Sequence, residues 1–280
     1  MNAPEKLALT GIVRGLSNED YHAGPGVSKS SLDAVAKSPA HYFAKYLDPQ
    51  RQKQEQTPAM LTGTLAHCAI LEPAEFDKRY AVGPDVSKAT KEWKTFEALV
   101  TSAGQTAIKP DQRAMAFAQS NAIRKLQDVA ALFEKGEAEL SAFWTDEATG
   151  LLCKCRPDWV HECEDGGVIL VDVKTTSDAS LREFSRSIAK WRYHAQAAWY
   201  IDGYQQASGK TVHGFMFVAV ENDYPHATCA YMLDDESLDL GRETCRRDLD
   251  KLAGCLTREE WPGYSNEIEV VSLPYWAFNL

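Results

Sequence analysis

The stretch VILVDVKTT at residues 168–176 combines a dense run of aliphatic residues with an aspartate and a lysine. Side chains alternate between the two faces of a strand, so Asp172 and Lys174 are expected to point one way and Val173 the other. Burying a charge without a partner costs several kcal/mol. The pattern therefore indicates either an internal ion pair or a site whose chemistry needs both charges.

A second carboxylate precedes this strand. Asp158, in the sequence RPD, is separated from Asp172 by the 13 residues 159–171, and a hairpin of that length can bring the two carboxylates side by side. Adjacent carboxylates repel each other, and a divalent cation such as Mg²⁺ or Mn²⁺ would remove the conflict, with the carbonyl of Val173 as a further oxygen ligand. A metal site explains the charged strand better than an ion pair does.

Two further motifs lie on predicted helices. GTLAH at 63–67 has the form GxxxH and places His67 on an apolar helix, where a lone histidine is more often a core residue than a ligand. QAAWY at 196–200 has the form QxxxY and places Gln196 and Tyr200 one turn apart on one helix face. Simple amphipathic packing would produce the same spacing, so each motif alone leaves both interpretations open.

In combination and in this order, GxxxH, PD, DxK and QxxxY resemble the PD-(D/E)xK nuclease superfamily and its RecB-like branch. Segments from SNEDYHAGPGVSKSSLD to the terminal SLPYWA, about residues 17–276, resemble the nuclease domain of RecE-type exonucleases (exonuclease VIII). The resemblance implies an α/β, restriction-endonuclease-like fold, with a central mixed sheet flanked by helices and a helical N-terminal portion.

The resemblance also implies the roles of individual residues. The implied metal ligands are His67, Asp158, Asp172 and the carbonyl of Val173. The implied catalytic residues are Lys174, Asp158 and Asp172, with Gln196 and Tyr200 beside them. Glu139, in AELSAFW, stands where these enzymes carry a further acid ahead of the PD strand, and is a candidate auxiliary residue.

The function implied is a metal-dependent 5′-to-3′ exonuclease on double-stranded DNA. It would use one or two Mg²⁺ ions and leave 3′ single-stranded overhangs for a RecT-like single-strand annealing protein. Histidine is an unusual ligand for Mg²⁺, so Mn²⁺ is expected to support activity comparably. The alternatives are a PD-(D/E)xK endonuclease and an inactive DNA-binding module, such as a degenerate prophage gene would encode.

The net charge of −10 excludes a protein that binds nucleic acid through a generally basic surface. Contact with DNA therefore requires a locally basic groove. The candidate cations for it are Lys154, Arg156, Lys190 and Arg192. A monomer of this charge should bind DNA weakly. The resemblance to RecE-type exonucleases implies that a closed homo-oligomeric ring overcomes this, and we expect such a ring here, with a tetramer as the first expectation. Helix 235–256 and the aromatic tail LPYWAF are candidate interface elements, although the tail folding back on its own core is nearly as good an interpretation.

Composition agrees with a folded protein outside the membrane. Apolar residues make up 44% of the 280, no run approaches the ~20 apolar residues of a membrane span, and the first residues lack the features of a signal peptide. We therefore expect a soluble, cytoplasmic protein. Seven cysteines is an odd number, and their wide spacing does not suit a metal cluster.

The element pattern predicts one nuclease domain over 1–280. Its parts are a flexible start at 1–16, a mainly helical portion at 17–138 and an α/β catalytic core at 139–280. The core is expected to open with an antiparallel meander of three strands, ELSAFWTD, GLLCKCRPDWVHE and GVILVDVKTT. A long helix over about 180–207, stopped by Gly209, two more strands and helix 235–256 should follow.

Overall fold

The structure is a computed structural model that describes residues 10–51 and 56–278. The predicted flexible start and the end of the tail therefore lie partly outside the described residues. The helices up to residue 132 are α1 (Asn18–Ala23), α2 (Lys29–Lys37), α3 (Pro39–Tyr42), α4 (Pro58–Leu71), α5 (Phe76–Arg79), α6 (Lys91–Ser102), α7 (Pro110–Arg124) and α8 (Gln127–Leu132). Ser28 caps α2 by accepting from the Ser31 N–H, and Pro39 opens α3.

The strands form a central sheet and two small ones. They are β1 (Gly11–Val13), β2 (Tyr80–Val82), β3 (Thr106–Ile108), β4 (Gly136–Ala138), β5 (Ser141–Thr145), β6 (Leu152–Cys155), β7 (Trp159–Glu162), β8 (Val168–Thr176), β9 (Val212–Glu221) and β10 (Thr228–Met232). The central sheet has the order β10-β9-β8-β7-β4, with β8 and β9 parallel and the other neighbours antiparallel. The prediction of a central mixed sheet is confirmed.

The prediction of a three-strand meander is wrong for its middle strand, which is two strands in two different sheets. GLLCKCRPDWVHE is split at Arg156–Pro157–Asp158, so β6 pairs with β5 in a three-stranded sheet, whereas β7 pairs with β8 in the central sheet. Pro157 has no N–H to donate to a ladder, which ends β6. Asp158 consequently lies where the chain passes from one sheet to the other.

The C-terminal helices are α9 (Leu181–Lys190), α10 (Tyr193–Ser208) and α11 (Asp235–Arg258). The single long helix predicted over about 180–207 is two helices, because the backbone at Arg192 is left-handed, with φ 56°. The Arg192 guanidinium forms ion pairs with Asp33 and Asp248, which hold the chain at this break. The predicted stop is confirmed, since α10 ends at Gly209 with φ 69°.

Helices cover both faces of the central sheet. On one face, Val171, Val173 and neighbouring side chains of β9 pack against Ala66 and Ile70 of α4. On the other face, Leu170 and Phe217 join a larger core with α2, α10 and α11. Each fully buried aliphatic or aromatic side chain contributes about 1.5–3 kcal/mol to folding. Within the described residues, no helix has both the length and the apolarity to span a bilayer.

Candidate active site

The apolar sequence of α4 places His67 against β8. Its neighbour Ala66 is fully buried on the sheet, which brings the imidazole to the edge of β8. His67 Nε2 lies 2.9 Å from the carbonyl oxygen of Val173. A carbonyl only accepts, so Nε2 carries the proton and donates, while Nδ1 faces Asp158 Oδ2 at 3.5 Å.

The Val173 N–H and carbonyl pair with side chains, because β7 begins too late in the chain to pair with them. The β7–β8 register runs from Trp159 opposite Val171 towards the turn, so the edge of β8 beyond Val171 has no strand partner there. Asp158, immediately before β7, fills part of this gap, since its Oδ2 accepts from the Val173 N–H at 2.7 Å. The PD motif therefore completes the ladder with a side chain.

Glu139 is the third member of the cluster. It links β4 to β5 with a left-handed backbone, φ 55°, which costs about 1–3 kcal/mol for a residue other than glycine. Its N–H donates to the Asp158 carbonyl at 3.0 Å, and its carboxylate lies 3.9 Å from Arg156 Nη1. Ligand atoms of His67, Glu139 and Asp158 lie within 4.8 Å of one another.

Burial and mutual repulsion disfavour the charged forms of both carboxyl groups. Burial, reinforced by Asp158, raises the pKa of Glu139 to about 7. Burial also raises the pKa of Asp158 to about 6, with His67 opposing this shift and Asp172 adding to it. Two carboxyl groups held in this way beside an imidazole nitrogen fit a divalent cation, which would relieve the repulsion.

Asp172 and Lys174 lie on the face of β8 that looks towards α10, as the alternation predicts. Asp172 is almost fully buried, forms an ion pair with Lys174 Nζ through Oδ2, and accepts from Gln196 Nε2 through Oδ1. Burial lowers the pKa of Lys174, but Asp172 and Asp158 outweigh it, so that the pKa is raised above its ordinary value. The lysine is therefore charged in this structure.

The structure divides the predicted ligand set into two groups. His67 and Asp158 share one cluster with Glu139, while Asp172 pairs with Lys174 and Gln196. The Val173 carbonyl, predicted as a metal ligand, accepts from His67. All the predicted ligands therefore lie on β8 or beside it, but in two separate groups of contacts.

Tyr200 is half-buried on α10 and packs edge-on against Phe215, with ring centroids 5.8 Å apart. Burial raises its pKa well above the ordinary value. Tyr193, which no sequence motif singled out, lies under Lys174, whose Nζ is 4.8 Å from the centre of its ring. Tyr193 lies three residues before Gln196 on the same helix, so the two share a helix face. This spacing could have identified Tyr193 as a residue of the site.

Two of the four predicted DNA-contacting cations are buried, so that part of the prediction needs correction. Lys154 donates to the carbonyls of Tyr21 and Gly24 at 2.6 and 2.7 Å. Arg156 donates to Ser141 Oγ and to the Leu16 carbonyl. Both cations hold the segment before α2 against β6, because they point inwards between the two.

The other two predicted cations differ from each other. Arg192 is engaged by Asp33 and Asp248 at the break between α9 and α10. Lys190 is exposed, with Nζ 4.8 Å from the centre of the Trp191 ring. Of the four, Lys190 is therefore the cation whose placement suits contact with a phosphate.

The mixed sheet, with the PD motif directly before β7 and the DxK motif on the adjacent strand β8, defines the PD-(D/E)xK class of nucleases. The chain belongs to the family described as PDDEXK-like domain of unknown function (DUF3799), whose model matches residues 28–274. The resemblance predicted from the four motifs is thereby confirmed, and the family supports a nuclease.

One solved structure shows the same fold. The chain is similar to a proposed exonuclease from Eubacterium rectale, at 15% identity and a TM-score of 0.64, with 94% of this chain and 97% of that chain covered. It also matches an alkaline exonuclease from Laribacter hongkongensis, at 13% identity and a TM-score of 0.30, with 62% and 88% covered. No curated protein sequence matches the chain.

Proposed function

We propose that the protein is a metal-dependent exonuclease that digests double-stranded DNA from a 5′ end and leaves a 3′ single-stranded overhang. The observation that carries the proposal is the convergence of His67, Glu139 and Asp158, with ligand atoms within 4.8 Å of one another, next to the Asp172–Lys174 pair. Mg²⁺ is the proposed ion, one or two per site, with Mn²⁺ supporting comparable activity.

The residues of the site divide the work of phosphodiester hydrolysis between them. His67, Glu139 and Asp158 would hold the divalent ion, which supplies an activated water and neutralises charge on the phosphate when bound. Lys174, charged and held by Asp172, would donate to a phosphate oxygen or orient the attacking water. Gln196 fixes the second oxygen of Asp172, so that the lysine keeps its position.

The direction of digestion and the biological setting rest on the resemblance to RecE-type exonucleases. In that setting the 3′-ended strand is passed to a RecT-like annealing protein for recombination, in the cytoplasm. The Eubacterium rectale protein of the same fold is described as a proposed exonuclease, which supports the proposal of action at DNA ends rather than within the duplex.

A homo-oligomeric ring, most simply a tetramer, is part of the proposal. The net charge of −10 opposes approach to DNA, so staying on the substrate requires that the protein enclose it. The segment 264–278 supports an interface at the tail, because Ile268, Val270 and Val271 are 92–100% exposed rather than folded onto the core. Exposed apolar side chains that lie close together are typical of contact surfaces.

Incubation of linear, nicked and covalently closed duplex with Mg²⁺ tests the proposal. We expect loss of the linear duplex while the closed circle stays intact, because an exonuclease needs an end. A linearised circle would instead identify an endonuclease. Binding of all three forms without cleavage would identify an inactive DNA-binding module.

A further inference from the structure

A second cluster of metal-binding side chains lies at the opposite end of the β7–β8 hairpin from Asp158. Cys163 and Asp165 belong to the turn that joins β7 to β8, and His213 is the second residue of β9. The thiol sulfur, a carboxylate oxygen and an imidazole nitrogen lie within 4.8 Å of one another. The cluster shares no residue with the candidate active site.

An irregularity in the strand pairing brings His213 to this turn. In the β8–β9 ladder, Val168 pairs with Val212, but the next residue, Ile169, pairs with Gly214. His213 is therefore an extra residue in β9, and a bulge of this kind redirects a side chain. The result is that His213 Nε2 lies 2.8 Å from Asp165 Oδ2.

The turn is shaped to receive the imidazole. A Cβ atom on Gly167 would lie 2.2 Å from His213 Nε2, so any other residue at this position would displace the ring. The Gly167 N–H donates to Asp165 Oδ1 at 2.9 Å, which leaves Oδ2 directed at His213. The Cys163 N–H donates to the Gly167 carbonyl at 2.9 Å and closes the turn.

We propose that Cys163, Asp165 and His213 bind a transition-metal ion of the zinc type, with water completing its coordination. A thiolate, an imidazole and a carboxylate form a donor set that Zn²⁺ accepts, whereas Mg²⁺ requires oxygen ligands. The bound ion would tie the β7–β8 turn to the start of β9. It would thereby stiffen the end of the sheet remote from the candidate active site.

Co²⁺ is the probe, because a thiolate bound to Co²⁺ gives a charge-transfer band in the near ultraviolet that oxygen and nitrogen ligands do not give. The 280-residue chain carrying Asp158→Asn is titrated with Co²⁺. The substitution weakens the candidate active site, which would otherwise compete for the added ion. We expect a saturable band that Zn²⁺ abolishes. Cys163→Ser should remove the band, and His213→Ala should weaken Co²⁺ binding by at least about tenfold.

Cys229→Ser is the matched control, since Cys229 is also half-buried and free, and it should leave the band unchanged. Circular dichroism of each variant verifies folding, and Asp165→Asn provides a second, milder test. Absence of the band would overturn the proposal. A band that persists in Cys163→Ser, or a Co²⁺ affinity that is unchanged in His213→Ala, would mean an adventitious ion only and would overturn it as well. The titration contains no DNA, so its outcome is independent of the proposed nuclease function.

Discussion

His67 and Asp158 are fixed by the same residue of β8, since the Val173 carbonyl accepts from His67 Nε2 and the Val173 N–H donates to Asp158 Oδ2. Both side chains use backbone groups that β7 leaves unpaired. The helix that carries GxxxH and the turn that carries PD are thus held in register by one point of the sheet. The arrangement positions Nδ1 of the histidine and the aspartate side by side before any ion is bound.

Single substitutions should separate catalysis from folding. Asp158→Asn, Glu139→Gln and Lys174→Met are each expected to lower the rate of hydrolysis of linear duplex by orders of magnitude, because each removes a charge that the site needs. Circular dichroism should show an intact fold. An Asp158→Asn protein that digests linear duplex at the wild-type rate would refute the assignment of the site.

The stability of the metal-free protein should fall as pH rises. The pKa of Asp158 is raised to about 6 and that of Glu139 to about 7, above the ordinary carboxyl values of about 4. A raised pKa favours the neutral form in the folded state, so this contribution is complete below about pH 4 and is lost as pH rises through about 6–7. For Asp158 the loss is on the order of 3 kcal/mol, since one pKa unit corresponds to about 1.4 kcal/mol.

Urea denaturation in EDTA at pH 5 and pH 7.5 measures this loss. Asp158→Asn should be less sensitive to pH over the interval, because the amide does not ionise. Mn²⁺ should restore stability at pH 7.5 by binding the ionised carboxylates. A wild-type protein and an Asp158→Asn protein with the same pH dependence would contradict the electrostatic account of the cluster.

Lys154 should matter for folding and Lys190 for DNA. Lys154→Met leaves the carbonyls of Tyr21 and Gly24 without their donor, which should lower the free energy of unfolding by roughly 1–3 kcal/mol. The matched exposed substitution, Lys190→Met, should leave the free energy of unfolding unchanged. It should reduce the slope of log binding constant against log salt concentration by about 1, which corresponds to the loss of one phosphate contact. The reverse pattern, with stability unchanged in Lys154→Met, would restore the original assignment of Lys154 to DNA.

The exposed tail should control assembly. Ile268→Lys with Val270→Lys is expected to convert the proposed ring to a smaller species, because charged side chains oppose an apolar interface. Light scattering at micromolar concentration measures the mass. Tyr224→Lys is the control, since Tyr224 is 91% exposed outside the tail and should leave the mass unchanged. A wild-type monomer that nevertheless digests long duplex per binding event would refute the ring.

Local patterns predicted the parts of the site that depend on strand alternation and helix spacing. Asp172 and Lys174 share a face, Gln196 reaches Asp172, and His67 reaches β8, all from motif positions. The burial of Lys154 could not be predicted, because its partner Tyr21 lies 133 residues away in sequence. From sequence alone, a cation on a strand is expected to be exposed to solvent, and only the structure shows which segment covers it.

The break at Arg192 escaped prediction for a similar reason. Neither glycine nor proline marks it, and the left-handed backbone there coincides with ion pairs to Asp33 and Asp248 from distant parts of the chain. Glu139 was predicted only loosely, because its approach to Asp158 depends on a backbone conformation that its residue type disfavours. Tertiary contacts decide such positions, and residue patterns do not encode them locally.

The order of label release from a blunt linear duplex labelled differently at its 5′ and 3′ ends tests the central claim most directly. With Mg²⁺, the wild-type protein is predicted to release the 5′ label first and leave a 3′ single strand, while Asp158→Asn releases neither label. Earlier release of the 3′ label, or equal release by Asp158→Asn, would contradict a 5′-to-3′ exonuclease that works through this cluster.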